Sequence, residues 1–306
     1  MNEFALLIAA TLNAGTPLVI AGLGLLINER AGVVNLGAEG MMLVAAVAGF
    51  AVALGTGSQA LGFLAGAAAG ALLAALFGVL VIWFAANQYA TGLALSIFGV
   101  GLSAFIGQPY VGKNIAPSGA LAIPVLSDLP FFGPALFRQH WMVLVAILLA
   151  VAVAWFLYRT RAGLVLRSIG ESPESAHALG YAVRPIRMAA VLVGGALCGI
   201  GGAYLAVVYT PLWVEEVTAG RGWIALALTV FATWRPGRVL VGAYLFGGVT
   251  MVQFDLQARG VDIPSQILST LPYVATIVVL AFISRNPAWI RINMPASLGK
   301  PFVPGS

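Results

Sequence analysis

The chain has 306 residues, of which 61% are hydrophobic and only 8% are charged. A soluble domain carries charge on about a quarter of its residues, so this composition excludes an ordinary soluble domain and indicates a protein of the lipid bilayer. The net charge of +5 does not indicate nucleic acid binding, because the basic residues stand in short segments between apolar runs, where they set membrane topology.

The apolar residues form long runs, and runs of about 18 residues or more predict transmembrane helices. Nine segments predict an all-α polytopic membrane protein with a single domain over residues 1–306. They are 4–27, 36–54, 60–84, 90–107, 141–158, 188–210, 222–233, 238–254 and 267–283. The seventh is short for a full crossing, about 18 Å at 1.5 Å per residue. It either extends backwards along the chain or lies buried among its neighbours. Glycine pairs such as Gly62/Gly66 and Gly194-Gly195 allow close helix packing.

The first polar stretch, residues 28–42, lies between the first two segments. Acidic side chains inside a membrane are costly and usually face a protein interior or a water-filled cavity. A broken helix with exposed backbone groups can line a solute path. We therefore assign Asn35 and Glu39 an interior role, whereas Glu29 and Arg30 fit either that role or a solvated connection.

A loop over 108–140 follows the fourth segment. It contains Pro109, Pro117, Pro124, Pro130 and Pro134. Repeated proline argues against a regular helix, so we expect this loop to cap the outer face of the protein.

The most polar stretch is the loop 159–187. It holds five of the fifteen basic residues, Arg159, Arg161, Arg167, Arg184 and Arg187. Its centre predicts a short surface helix, because Ser172 can cap the N-terminus, Pro173 suits the first helical position and Gly180 can end the helix. One polar helix on an apolar protein indicates a docking site for a soluble partner.

A third distinctive stretch, 220–227, is followed by a turn over 233–237. Trp223 and Trp234 in this region read as interfacial residues. All seven tryptophans fall near predicted helix ends, as interfacial aromatic belts require. They are Trp83, Trp141, Trp155, Trp213, Trp223, Trp234 and Trp289.

Loop charge predicts the topology. If the loop 159–187 is cytoplasmic, the N-terminus lies outside and the C-terminus lies inside. Eleven Lys and Arg residues then lie on the cytoplasmic side and four on the outer side. This asymmetry favours that orientation, because cytoplasmic loops carry an excess of Lys and Arg.

Common catalytic motifs are missing from the sequence. It contains no G-x-x-x-x-G-K-[ST] phosphate loop, no H-E-x-x-H, no C-x-x-C and no G-x-S-x-G. The only histidines, His140 and His177, fall on opposite sides of the predicted membrane, and Cys198 is the only cysteine. We therefore predict that the chain is not an enzyme and has no catalytic residue, metal site, cofactor or ATP site of its own.

A solute path needs polar side chains within the membrane segments. The candidates are Asn13, Thr16, Asn35, Glu39, Asn87, Gln88, Ser96, Ser103 and Gln253. Hydrogen bonding between helices is the commoner use of such residues. Because the segments carry almost no charge, they fit a neutral small solute.

Residues 29–42, 167–180 and 220–227, with Pro272-Tyr273, resemble the membrane subunits of bacterial ABC importers for nucleosides, simple sugars and branched-chain amino acids. The likeness covers most of the chain and is closest to nucleoside permeases that work with a basic-membrane-lipoprotein class of binding protein. It implies a helical permease like the vitamin B12 and ribose importers, in a bacterial inner membrane. The implied partners are two cytoplasmic ATPase subunits that bind ATP, a second permease copy or paralogue, and an external solute-binding protein.

The resemblance also assigns roles within the loop 159–187. In such importers a short cytoplasmic helix sits in a groove of the ATPase and transmits its closure. The corresponding residues are Arg167, Glu171, Pro173, Glu174, Ala176, Leu179 and Gly180. Leu179 and the alanines would supply apolar contact, while Arg167, Glu171 and Glu174 would pair with charges on the partner.

Other classes of protein make different demands on the sequence. An ion-coupled secondary transporter would need an ion site within the membrane segments and no ATPase partner. A membrane-embedded enzyme would need His, Asp or Cys residues clustered at one leaflet, and the sequence has no such cluster. Within the importer class, the solute is a nucleoside, a simple sugar or a branched-chain amino acid.

Overall fold

Helices dominate the computed structural model, which describes residues 3–116, 119, 121–122, 133, 138–260, 264–268, 270–284 and 293–303. The α-helices in these ranges are α1 (Glu3–Arg30), α2 (Ala38–Thr56), α3 (Gln59–Gly78), α4 (Gln88–Gly107), α5 (Trp141–Arg159), α6 (Arg161–Glu171), α7 (Pro173–Ala178), α8 (Val183–Tyr204), α9 (Arg221–Phe231), α10 (Pro236–Ala258), α11 (Ser265–Leu268) and α12 (Leu271–Ser284). Single π-helical turns, Val79–Trp83 and Leu205–Tyr209, continue α3 and α8. A 3-10 turn, Gln108–Tyr110, follows α4, and β1 (Leu121–Ala122) pairs antiparallel with β2 (Arg138–Gln139).

Seven helical segments in the described part of the chain are long and apolar enough to cross a membrane. They are Glu3–Arg30, Ala38–Thr56, Gln59–Trp83, Gln88–Tyr110, Trp141–Arg159, Val183–Tyr209 and Pro236–Ala258. The two remaining predicted segments correspond to α9, with 11 residues, and α12, with 14. An all-α polytopic membrane protein is therefore confirmed, and the count of nine crossings stays a prediction.

Local side chains fix where several helices begin. Ser58, Asn87, Thr160 and Ser172 each stand immediately before a helix and accept a hydrogen bond from a backbone N–H of its first turn. Such caps satisfy donors that have no partner within the helix. These helix starts therefore follow directly from the local sequence.

The core forms around α1, α2 and α8. Every residue of α1 from Ala14 to Arg30 is buried, as are most residues of α2 and the second half of α8. The other long helices surround these three and leave apolar side chains such as Leu72, Ile97 and Phe105 exposed. An apolar exterior of this kind is expected where lipid, rather than water, covers the protein.

Glycines bring the central helices close together. A Cβ at Gly70 of α3 would meet backbone atoms of Gly195 and Gly199 in α8, and Gly66 meets Gly199 in the same way. A residue larger than glycine would push the two backbones apart. The expected use of small residues for helix packing in lipid is thus confirmed.

The non-helical segment 31–37 runs along the first half of α4. The Val34 N–H donates to Gln88 Oε1 at 2.8 Å, at the start of α4, and Ser96 Oγ donates to the Leu36 carbonyl at 2.8 Å. Farther along, Gly40 packs against Ser96 and Gly99, near the middle of α4. Since α4 extends over Gln88–Gly107, α2 begins level with the centre of that helix rather than with its end.

Two tryptophans do not lie where an interfacial belt would place them. Trp213 and Trp234 are almost completely buried, whereas Trp83, Trp155 and Trp223 are exposed. Trp213 packs against Gly107, and the Trp234 indole donates a hydrogen bond to Glu29. The belt interpretation was wrong for these two residues because proximity to a helix end does not determine which way a side chain points. Trp289 lies outside the described residues.

Most of the predicted outer loop 108–140 falls outside the described residues, including Pro117, Pro124, Pro130 and Pro134. Pro109 belongs to the 3-10 turn after α4. From there, Asn114 pairs with Leu212 as an isolated bridge, and the Ile115 N–H donates to the Pro211 carbonyl at 3.0 Å. The start of this loop is therefore joined to the segment between α8 and α9.

Candidate functional site

Glu39 closes the N-terminus of α9. Its carboxylate accepts hydrogen bonds from Thr218 Oγ1 at 2.5 Å, from the Gly220 N–H at 3.0 Å and from the Gly222 N–H at 2.6 Å. No side chain next to α9 caps the helix, and Gly220 has a positive φ of 78°. The cap therefore comes from α2. It joins the polar stretch 28–42 to the distinctive stretch 220–227.

The short α9 follows from this geometry. Glu39 is adjacent to Gly40, which packs at the middle of α4, so α9 begins deep inside the bundle. Its 11 residues span about 16 Å at 1.5 Å per residue. A helix N-terminus carries partial positive charge, and the buried Glu39 carboxylate satisfies it. The interior position assigned to Glu39 agrees with this structure.

Glu29 and Arg30 meet the other end of α9. Glu29 accepts hydrogen bonds from Thr229 Oγ1 at 3.0 Å and from the Trp234 indole N–H. Arg30 donates from Nε and Nη2 to the Trp234 carbonyl, at 3.1 and 2.8 Å. Both residues are buried, so the solvated-connection interpretation was wrong. The turn after α9 folds back onto the end of α1 and covers their side chains.

Polar and aromatic side chains surround the exposed side of the α9 N-terminus. The Arg221 guanidinium lies over the Tyr209 ring, with Cζ at 5.1 Å from the ring centroid. Trp223 and Tyr273 are exposed, and the Tyr273 hydroxyl lies 4.0 Å from a Cβ built at Gly220. A cationic side chain at membrane depth requires protein or water beside it rather than lipid. This exposed surface is named the α9 face below.

Most of the other residues predicted for the solute path make hydrogen bonds within this chain. Asn13 accepts from the Tyr204 hydroxyl, and Asn35 accepts from the Gly37 N–H at 2.9 Å. Asn87 caps α4 by accepting from the Ala90 N–H at 3.0 Å. Gln88 binds the Val34 N–H and the Lys300 carbonyl, and Gln253 is buried in α10. The role of these residues in transport stays a prediction. The α9 face is formed by other residues, Arg221, Trp223 and Tyr273.

The predicted surface helix is present as α7. Ser172 Oγ accepts from the Ser175 N–H at 3.2 Å, and Pro173 occupies the first helical position. Gly180 has φ of +87°, and its N–H donates to the His177 carbonyl at 2.8 Å, which ends the helix. Between these fixed ends Leu179 is 78% exposed. The sequence prediction of a capped helix is confirmed.

Only some of the residues assigned to partner contact are exposed. Glu171, Glu174, Leu179 and Gly180 lie at the surface. Pro173 and Ala176 are buried. Ala176 packs with Ile169, Val183 and Phe302 of this chain, so it fixes the position of α7. Arg167 is partly buried, and its guanidinium Cζ lies 5.4 Å from the Tyr158 ring centroid.

The C-terminal segment 293–303 ties this region together. Ser297 Oγ donates to the Gly170 carbonyl at 2.7 Å and accepts from Arg187 Nη2 at 2.9 Å. The Gly299 N–H donates to the Gly32 carbonyl at 3.2 Å. Sequence reasoning missed this segment, because its contacts are mostly single bonds to backbone carbonyls and have no periodic pattern. The end of the bundle formed by α6, α7 and this segment is named the α6–α7 face below.

His140 lies at the start of α5, before the membrane-spanning segment. Its Nδ1 accepts from the Met142 N–H at 3.2 Å, and its Nε2 lies 3.0 Å from Gln59 Oε1. Burial lowers the pKa of His140 to about 4. In the part of the chain that the structure describes, no three His, Cys, Asp or Glu side chains are close enough to hold a metal ion.

The seven long apolar helices in the described part of the chain define a multi-pass membrane protein. Residues 7–282 match the family model described as branched-chain amino acid transport system / permease component. The chain belongs to this family.

Relatives carry more specific names. A putative glucose ABC transporter permease protein of Haloferax volcanii is 42% identical, and the match covers 97% of each chain. A nucleoside ABC transporter permease protein of Lactococcus lactis is 34% identical over 92% of this chain and 93% of its own. A guanosine ABC transporter permease protein of Bacillus subtilis is 32% identical over 98% of this chain and 97% of its own. The chain is therefore an ABC transporter permease subunit of the sugar and nucleoside type.

Proposed function

We propose that this chain is the membrane-spanning subunit of an ATP-driven importer for nucleosides, and that α7 couples ATPase closure to alternating access. The carrying observation is Leu179, an exposed apolar side chain at the end of a helix fixed by caps at both ends. An apolar side chain exposed to water beside Glu174 and Glu171 would be stabilised by burial in a groove of a soluble partner protein. ATP is bound by the partner ATPase subunits.

The solute path in this proposal runs along the α9 face. Arg221, Trp223 and Tyr273 need a polar environment at a depth where lipid would otherwise cover them. A second copy of the chain, or a paralogue, would close the path by facing this surface. Crossings by α9 and α12 complete the nine predicted segments, in a fold like that of the vitamin B12 and ribose importers.

Two observations support a nucleoside as solute. The relatives from Lactococcus lactis and Bacillus subtilis are named for nucleoside and guanosine transport. The exposed aromatic rings of the α9 face also suit a planar nucleobase, which stacks on aromatic side chains. The second candidate is a simple sugar, favoured by the name of the 42% identical relative. An external solute-binding protein selects the cargo before it reaches the membrane.

Loop charge supports the proposed orientation. With the α6–α7 face in the cytoplasm, the N-terminus lies outside and the C-terminus inside, in the bacterial cell membrane. Labelling a single cysteine at Ser175 with an impermeant reagent tests this, in a Cys198→Ala background. Protection in intact cells with reaction in inverted vesicles is the expected result. Labelling from outside would overturn both the orientation and the coupling role.

The decisive experiment measures coupling in the complete importer. Leu179→Ser should reduce solute uptake and solute-stimulated ATP hydrolysis, while the binding protein keeps its affinity for solute. Leu61→Ser, an exposed leucine at the first turn of α3, is the matched control and should leave both rates unchanged. Normal rates in Leu179→Ser would remove the coupling role, and ion-dependent uptake without any ATPase would favour a secondary transporter.

Cargo is identified by competition. Uptake of labelled guanosine should be inhibited by unlabelled nucleosides and not by glucose or leucine. Inhibition by glucose alone would replace the nucleoside with a simple sugar and leave the coupling mechanism intact.

A further inference from the structure

A cavity of about 640 Å³ opens on the α6–α7 face between the end of α5, the side of α6 and the start of α10. Its lining contains four arginines and a single carboxylate, that of Glu171. The lining arginines are Arg30, Arg167, Arg235 and Arg238. Such an excess of guanidinium groups around one cavity favours an anionic occupant.

Two of these arginines are held in place by the fold. Arg30 is buried and donates to the Trp234 and Asn293 carbonyls. Arg167 lies against the Tyr158 ring, and its buried Nε has no hydrogen-bond partner among the described residues. Their positive charges are therefore fixed at the cavity wall, so an anion would bind without reordering these side chains.

The start of α10 adds to the positive potential of the cavity. Pro236 is the first helical residue, and no side chain caps this end. Gly237 follows, and a Cβ built there meets nothing within 4 Å, so the space beside the first turn is open. Pro236 has no N–H, and the Arg235 and Arg238 N–H groups donate to the Ala232 and Arg235 carbonyls. The guanidinium groups are therefore the donors that suit the several oxygen atoms of a phosphate.

The position of the cavity relative to the membrane indicates where the phosphate comes from. On α5, exposed Leu148, Val151 and Trp155 form one helical stripe that ends at Tyr158, a cavity-lining residue. Tryptophan and tyrosine at the end of a membrane helix mark the headgroup level. An acyl chain lying along this stripe would bring its headgroup to the arginines.

We propose that this cavity binds a phosphate group, supplied by the headgroup of an anionic phospholipid. Basic pockets between membrane helices at a membrane surface recognise such headgroups. The proposal depends on the membrane location of the chain and not on its solute, so it can fail while the importer function stands.

The test is lipid binding by the purified full-length chain in detergent, measured by native mass spectrometry. The probes are phosphatidylglycerol, phosphatidylcholine and inorganic phosphate. We expect the wild type to retain phosphatidylglycerol in preference to phosphatidylcholine. The Arg235→Gln/Arg238→Gln variant should bind phosphatidylglycerol about tenfold more weakly, because two charges near the phosphate are lost.

The matched control removes two charges from the same end of the bundle but outside the cavity. Arg159→Gln/Arg161→Gln, at exposed positions, should bind phosphatidylglycerol like the wild type. Arg235→Lys/Arg238→Lys should keep most of the binding, which separates lost charge from a misfolded chain. Equal phosphatidylglycerol binding by the cavity variant and its control would overturn the lipid site.

Inorganic phosphate distinguishes the two sources of the group. One outcome is that inorganic phosphate raises the thermal unfolding midpoint of the wild type but not of the cavity variant, while neither protein binds phosphatidylglycerol selectively. In that case the cavity binds free phosphate, and the lipid headgroup is not the source. If neither probe depends on Arg235 and Arg238, the phosphate site itself is wrong. Loss of ATPase association, with lipid binding unchanged, would make the cavity a protein contact and also overturn the proposal.

Discussion

A helix that begins inside the bilayer leaves its first backbone N–H groups without water to bind. In this chain the Glu39 side chain accepts two of those N–H groups and the Thr218 hydroxyl. A carboxyl group is suited to this position because its three hydrogen-bond partners are donors and because the helix terminus carries partial positive charge. The cost of burying this polar side chain is thereby offset by three hydrogen bonds.

Glu39→Gln should therefore impair both stability and transport. The glutamine amide keeps one acceptor oxygen, but its NH₂ donor faces a backbone N–H of α9 or the Thr218 hydroxyl. A buried hydrogen bond is then lost, which costs about 1–3 kcal/mol. We expect a lower thermal unfolding midpoint for the purified chain and slower solute uptake by the complete importer. Glu3→Gln, an exposed carboxylate at the start of α1, is the control. A wild-type unfolding midpoint and uptake rate for Glu39→Gln would show that the cap contributes neither to stability nor to transport.

Asn28 presents the opposite case. Its side chain is completely buried beside Gly194, and neither its amide nitrogen nor its oxygen has a hydrogen-bond partner in the described structure. Asn28→Leu, which keeps the branching pattern, should raise the unfolding midpoint because an unpaired buried amide costs about 1–3 kcal/mol. Asn87→Ala, which removes the α4 cap, should lower the midpoint by the equivalent of about 1 kcal/mol. A fall in both variants would contradict this assignment for Asn28.

At the scale of elements, α5 begins at a cap that titrates. Burial lowers the pKa of His140 to about 4 from the ordinary value of 6.5, and neutral Nδ1 accepts the Met142 N–H. In the unfolded chain the His140 imidazole takes up a proton near its ordinary pKa of 6.5. In the folded chain it takes up this proton only near its lowered pKa of about 4. Folding is therefore destabilised as the pH falls between these two values, and the contribution is fully present above the upper one.

His140→Asn tests this pH dependence, because asparagine is a good helix cap that does not titrate. The wild type should lose more of its thermal unfolding midpoint than the variant when the pH is lowered from about 7 to about 5. Parallel pH profiles would show that other groups govern the acid response.

Helix packing gives a second prediction at this scale. Gly70 of α3 faces the backbone of α8, whereas Gly101 of α4 has nothing within 4 Å of a built Cβ. Gly70→Ala should lower the unfolding midpoint by forcing α3 and α8 apart. Gly101→Ala should raise it slightly, since alanine in a helix is favoured over glycine by about 0.5–1 kcal/mol. The opposite order would refute close α3–α8 contact as a source of stability.

At the scale of the whole molecule, features set by local chemistry could be predicted from the sequence. The cap at Ser172 and the end at Gly180 were predicted because they depend on neighbouring residues. The predicted segment 141–158 differs from Trp141–Arg159 by a single residue. The bond between Glu39 and Gly222 could not be predicted, because it joins residues 183 positions apart. The burial of Trp213 and Trp234 likewise depends on tertiary packing.

The C-terminal segment 293–303 shows how distant parts of the chain act together. It binds α6 through Gly170, α8 through Arg187, the segment after α1 through Gly32, and α4 through Gln88. In addition, Phe302 packs with Ala176 of α7. Movement of α7 would therefore reach the start of α8 and the segment 31–37, which leads to Glu39 and the α9 face.

Ser297→Ala should weaken this connection. The change removes the hydroxyl that donates to the Gly170 carbonyl and accepts from Arg187 Nη2, which leaves the buried guanidinium short of an acceptor. We expect a lower unfolding midpoint, consistent with about 1–3 kcal/mol, and less ATP hydrolysis stimulated by solute in the complete importer. Ser168→Ala, on the exposed side of α6, should change neither value. If Ser297→Ala lowers stability but leaves stimulation intact, the segment supports the fold without relaying the movement of α7.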